Sequence, residues 1–216
     1  MMPAPDDRLE GELLRDQLSR MRGMLGAYSE LFFRRIRDWA LVVIGLLVLS
    51  STGAFPAAIA FVPFLVPFAF LETAYLFFYT VFARRYAERI ERRLNAIVGS
   101  EALVAHRLEA AYFYPPDAPK VAAMSFGRPL GMVSVVTLVY TVGAALLWLA
   151  GFRGLLDLAA DGDGAVLPLA ALLWTGAITA FLAWSFLTRH DEARLLRELD
   201  AWEARVAAER TAPMGG

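Results

Sequence analysis

The sequence predicts an all-α, polytopic integral membrane protein, with four transmembrane helices and cytoplasmic helical extensions that form a bundle. Three observations carry that expectation. Of 216 residues, 58% are hydrophobic and mean hydropathy is +0.49. With the 16 Gly included the apolar share is about 65%, against roughly 45–50% in a soluble domain. The apolar residues are also concentrated: residues 39–83 hold one charged residue, Glu72, while 130–152 and 164–188 hold none. Finally, the 21 Lys and Arg are unevenly placed. Seven precede the first apolar block, eight lie between Arg84 and Arg128, five lie from Arg189 onward, and only Arg153 falls between the last two blocks. That asymmetry puts both termini and the central segment in the cytoplasm of a bacterial-type inner or plasma membrane.

Residues 1–37 read as a cytoplasmic amphipathic helix. Leu14, Leu18, Met21, Leu25, Tyr28 and Phe32 alternate steps of four and three, the period of a helix burying one stripe. Acids at Asp6, Asp7, Glu10 and Glu12 stand where a signal peptide would need an apolar run. Residues 38–83 then form a transmembrane hairpin. A span needs about 20 apolar residues, so this block holds two, near 38–54 and 56–83, parted at Ser50–Pro56. A re-entrant hairpin competes for the short first span. Pro63 and Pro67 fall inside the second span, where a missing N–H breaks the ladder; both are candidate hinges.

Residues 84–129 supply cytoplasmic helices and a proline-rich interfacial loop. Ile90, Leu94, Ile97, Val104, Leu108 and Ala111 continue the three–four pattern. Gly99-Ser100 stops one helix, and a second is expected to run to Tyr112, ahead of Pro115, Pro116 and Pro119. Residues 130–188 form a second hairpin, with spans at 130–152 and 165–188 joined outside by an acidic turn, Arg153–Gly164. Residues 189–216 give a last cytoplasmic helix, striped by Leu195, Leu199, Trp202 and Val206, and a tail. With neither Gly nor Pro at Ala83–Arg84 or Thr188–Arg189, the second and fourth spans are expected to continue unbroken into the cytoplasm. The three stripes admit packing within one chain, assembly between copies, or lying flat on the bilayer.

Glu72 is the one intramembrane charge. It lies 12 residues before Arg84, about 18 Å of helix, and 16 after Pro56, about 24 Å, which sets it near the midplane. An ionised carboxylate there is costly, so it is expected to be neutral, paired or hydrated. Tyr75 and Tyr79 share its helix face, and Tyr140 and Thr141 on the third span are candidate partners. These five residues are either a pathway-lining polar site or a hydrogen-bonded packing feature. Arg34, Arg35, Arg84, Arg85 and Arg189 flank the spans as candidate lipid-headgroup contacts. Gly143-Ala144 and Gly176 with Ala180 are small-residue candidates for helix contact, and Trp39, Trp148 and Trp184 are candidate interface anchors.

Several chemistries find no support. The absence of cysteine removes disulfides and thiol catalysis, and a net charge of −1 gives no argument for nucleic acid. His106 and His190 are the only histidines, and no metalloprotease, phosphate-loop or nucleophile-elbow motif occurs. No enzyme, cofactor or metal site is expected. Two functions fit: a small homo-oligomeric protein that forms or gates a permeation path, or a structural or accessory membrane subunit whose cytoplasmic helices bind a partner protein.

Overall fold

A computed structural model describes residues 5–112, 120–121, 124–125, 132–160 and 165–211. The described residues are almost wholly helical: α1 (Pro5–Ser51), a 3-10 turn (Pro56–Phe61), α2 (Val62–Val98), α3 (Ala105–Tyr112), α4 (Met132–Ala160), α5 (Val166–Thr188) and α6 (His190–Thr211). The exception is a two-residue antiparallel ladder, Lys120–Val121 with Met124–Ser125. The acidic turn at Asp161–Gly164 and the proline loop at 113–119 lie outside the described residues.

Three helical stretches are long and apolar enough to cross a membrane, in Pro56–Val98, Val135–Ala160 and Val166–Arg205. Helix α1 falls short. It ends at Ser51, so its apolar run from Trp39 is thirteen residues, about 20 Å against a hydrocarbon core of roughly 30 Å. Gly53, at φ 72, then turns the chain in the left-handed region that glycine alone enters without cost, and Pro56 starts the 3-10 turn.

Helices α1 and α2 form a long antiparallel pair with a steady register. Leu14 packs on Ile90 and Leu94 at one end, and Val43 on Val62 and Val66 at the other. Between them Tyr28 stacks on Tyr79 at 5.0 Å and Trp39 meets Phe68 edge-on at 5.7 Å. The expected stripe on residues 14–32 therefore finds its partner within the chain. The stripe beyond Gly99 shifts: Leu103 joins the cluster, whereas Val104 and Leu108 are exposed. Gly99, at φ 71, ends α2 as expected, but α3 begins only at Ala105. The Asn95 amide explains the delay, donating to the Leu103 carbonyl at 2.8 Å and accepting from its N–H at 2.9 Å.

The two candidate hinges prove unlike. Pro63 sits in the first turn of α2, where no intrahelical bond is lost, and only Pro67 is interior. Pro67 leaves the Pro63 carbonyl, four residues back, without its helical donor. Trp148 Nε1 of α4 supplies one at 3.2 Å, while also reaching Thr175 Oγ1 at 3.0 Å, and Trp174 Nε1 of α5 donates to the next carbonyl, Phe64, at 3.0 Å. Trp148, expected as an interface anchor, and Trp174, which the sequence did not single out, thus serve a proline-interrupted ladder. Meeting backbone polar groups inside the protein is the overriding requirement where no water is at hand.

Two span boundaries change. Helix α4 continues past Phe152 to Ala160, so most of the expected acidic turn is helical. Its Gly151 and Gly154 lie against Val62, Pro63 and Ile59, whereas Gly143 and Gly176 face open space. Helix α2 runs unbroken through Arg84, but α5 stops at Arg189, which adopts φ 50, and α6 starts anew at His190. A non-glycine residue in that region costs roughly 1–2 kcal/mol. Two hydrogen bonds from the Arg189 guanidinium to Glu192, at 2.9 and 2.7 Å, hold the break.

Candidate functional site

Glu72 is paired within its own chain. Trp39 Nε1 donates to Glu72 Oε2 at 2.6 Å, and Arg35 Nε lies 3.3 Å from Oε1. Of the states expected for it, neutral, paired or hydrated, the α1–α2 register, which no local pattern encodes, provides the paired one. The same register sets its neighbours on α1. Glu72 is level with Trp39, where the apolar run of α1 begins and the charged run ending in Arg34, Arg35, Arg37 and Asp38 gives out. Along α2 it stands within the apolar stretch; beside α1 it stands at the start of that helix's apolar run.

The other polar candidates divide into separate groups. Tyr75 donates to, or accepts from, the Tyr79 hydroxyl at 3.0 Å, and with Tyr28 they form an aromatic cluster on the α1 side. Tyr140 packs on Phe70 at 5.2 Å beside Thr73, within electrostatic reach of Glu72. Thr141 Oγ1 donates to the Thr137 carbonyl of its own helix at 2.8 Å, so it reaches no other span through that bond. A groove of about 690 Å³ runs between α2 and α5, walled by Phe68, Phe77, Phe78 and Phe181 and edged by Glu72 and Tyr75. At its far end stand Arg189 and Glu192.

The densest electrostatic feature is a buried ion-pair layer just past the apolar part of α2. Glu91 of α2 is 2% exposed. It pairs with Arg22 of α1, accepts from the His106 backbone N–H at 3.1 Å, and meets His106 Nδ1 at 2.9 Å. Since His106 is the second residue of α3, Glu91 caps that helix from a different element, the role usually given to a local Ser or Asp. Arg22 also pairs with Glu109, and Arg84 Nε lies 3.1 Å from Glu109 Oε2. Alongside, Arg85 grips one oxygen of Glu192 at 2.9 and 2.7 Å while Arg189 grips the other. Burial pushes the Glu91 carboxyl up, but the hydrogen bonds and charge of Arg22 and those of His106 outweigh it and hold the group below the usual carboxylate range.

Three of the five candidate headgroup arginines are thus turned inward: Arg84 and Arg85 are buried, and Arg189 is tied to Glu192. Arg35 is committed to Glu72, and Arg34 stays exposed, paired to Glu30 one turn back at 2.6 Å. The residues that sequence reasoning passed over are Arg22, Glu91, His106, Glu109 and Glu192. Each stood in a charged, helix-like stretch, where a solvated face is the ordinary reading. The one available signal was Glu91 within the apolar stripe, adjacent to Ile90, on a face that two other charged helices had to meet.

Among the described residues no group of three or more His, Cys, Asp or Glu is placed to hold a metal ion. No family model, curated protein or solved structure matches the chain.

Proposed function

We propose that the chain is a non-catalytic accessory membrane subunit: a four-pass helical anchor, with both ends cytoplasmic, that presents a cytoplasmic helical platform to a partner protein. The observation that carries this reading is the closure of Glu72 by Trp39 and Arg35 of the same chain, which uses the lone acid as a helix fastener. The four-pass topology draws on the antiparallel register. Although short, the apolar run of α1 lies along the first turns of α2, and a bilayer adapts to a short span by local thinning. The arginine asymmetry supports placing the ion-pair layer inside the cell.

The platform has an unfilled side. Helix α6 is joined to α2 by Arg89, which pairs with Asp200 and with Glu203 at 2.8 Å, yet Trp202 remains 43% exposed and Leu195 and Leu199 are only half-buried. Aromatic anchors of this kind dominate binding energy in protein interfaces. Purification at native expression is expected to yield a stoichiometric complex with a second protein, and Trp202→Glu to release it. A particle made only of this chain would refute the reading.

A second reading, a homo-oligomeric permeation path, is favoured by the aromatic-walled groove that Glu72 and Tyr75 edge. Reconstituted into liposomes, a pore would conduct, and Glu72→Gln would alter its selectivity or rate. Absence of flux from the wild-type chain would remove this reading.

A further inference from the structure

Beside the buried layer lies a second cavity of about 380 Å³, lined by Arg92, Asn95, Glu101, Leu103, His106 and Arg107. Its chemistry is unlike that of the groove. Two guanidiniums and an imidazole face one carboxylate, and the walls are mostly polar. The imidazole is held in a defined orientation. Glu91, buried and held ionised by Arg22, accepts from Nδ1, which fixes the proton on that nitrogen and leaves Nε2 as the ring atom offered to the cavity. Glu91 is itself committed to Arg22, so it does not compete for what binds on the other side.

The arginines are differently placed. Arg107 Nη2 bonds Glu101 at 2.5 Å and Arg92 pairs with Glu88, but both guanidiniums are about 60% exposed. Exposed ion pairs of that kind contribute roughly 0–1 kcal/mol, less than a charge-assisted, bidentate bond to an incoming oxyanion. Glu101, 66% exposed at the rim, is free to swing outward at little cost. Displacing the exposed carboxylate in favour of a tetrahedral oxyanion would let Arg92 and Arg107 converge on one ligand, with His106 Nε2 facing it.

We propose that this cavity binds a soluble, phosphate-bearing anion, with Arg92 and Arg107 as the charge clamp and His106 as the oriented third contact, its Nε2 accepting from a phosphate O–H. The position separates this ligand from a lipid headgroup. Arg92 and Asn95 are eight and eleven residues beyond Arg84 on the continuous helix α2, about 12 and 17 Å past the end of its apolar stretch. A headgroup anchored in the bilayer does not reach that far. The volume is at the small end of ligand pockets, roughly 300–1,000 Å³, which suits inorganic phosphate or a compact phosphomonoester.

The test uses the full chain in zwitterionic nanodiscs, titrated with inorganic phosphate at low ionic strength and followed by 31P resonance shift or calorimetry. Saturable binding is expected below about 10 mM. Arg92→Ala with Arg107→Ala should abolish it, and His106→Asn should weaken it about tenfold. Asn keeps a donor for Glu91 at the Nδ1 position and lacks only the outer nitrogen, so α3 should remain folded by circular dichroism. Arg34→Ala, a surface control, should bind as the wild type does. Undiminished binding in the double arginine variant, or no binding by the wild type, would overturn the proposal. A second titration in nanodiscs containing phosphatidic acid separates the sources. Unchanged phosphate affinity supports a soluble ligand, whereas loss of phosphate binding to the lipid would overturn that assignment.

Discussion

Glu91→Ala is expected to lower the stability of the folded chain by roughly 3–5 kcal/mol, the range for removing one partner from a buried ion pair. The substitution strands more than one charge. Arg22 keeps Glu109 but loses the carboxylate nearest the α1–α2 seam, and the His106 N–H and ring Nδ1 both lose their acceptor. Because the lost N–H bond is the cap on α3, that helix should fray first, seen as accelerated hydrogen exchange at 105–112 before any change in α4 or α5. Glu91→Gln retains an acceptor and should lie between the two.

Acid should act through the same group. The folded carboxyl of Glu91 is held below its unfolded value, so the stability it contributes is complete at neutral pH. That contribution begins to fall near the unfolded glutamate value of about 4.3 and is lost as pH drops through the folded value. Between pH 7 and about pH 5 the unfolding midpoint should be nearly flat with respect to this group, with a decline below that. In Glu91→Gln the part of the decline owed to Glu91 should vanish. An acid limb of equal steepness in both proteins would show that other carboxylates govern it. Glu192, held by Arg85 and Arg189, is the first of those to examine.

The sequence and the structure agree where a single helix decides the outcome. Apolar run length located α2, α4 and α5, and Gly53 and Gly99 ended helices where glycine's left-handed freedom is useful. The stripe on 14–32 named the right face of α1 because a period of three and four leaves few alternatives. What could not be read was register between helices. The basic partner of Glu72 could not be named because Arg35 is 37 positions away in sequence and becomes a neighbour only when α1 folds back along α2. The same holds for Glu91 capping α3, and for Arg84 and Arg85, whose position beside a span is shared by headgroup ligands and by buried ion-pair partners alike. Arg189 ended a helix without Gly or Pro, since the bonds holding its positive φ come from Glu192 rather than from propensity.

Small residues gave the opposite lesson, and they make the second large effect testable. A side chain at Gly151 would place Cβ 2.7 Å from Val62 Cβ and 2.9 Å from Pro63 Cδ; at Gly154 it would lie 2.5 Å from Ile59 Cγ2. Val62 is fully buried and the Pro63 ring is closed onto its own backbone, so neither yields by rotation. Gly151→Val should therefore push α4 away from the start of α2 and cost about 1–3 kcal/mol or more from overpacking. The displacement would carry Trp148, on the same helix three residues earlier, out of reach of the Pro63 carbonyl, adding an unmet acceptor in an apolar surrounding. Gly143→Ala and Gly176→Ala meet nothing within 4 Å and exchange a flexible residue for a strong helix former, so they should be neutral or stabilising by about 0.5–1 kcal/mol. Thermal midpoints in one detergent, with Trp fluorescence reporting the indole environment, compare the three variants directly. A destabilised Gly143→Ala beside an unaffected Gly151→Val would reverse the assignment of the close helix contact. It would move that contact to an outward face of α4, where only another chain could meet it.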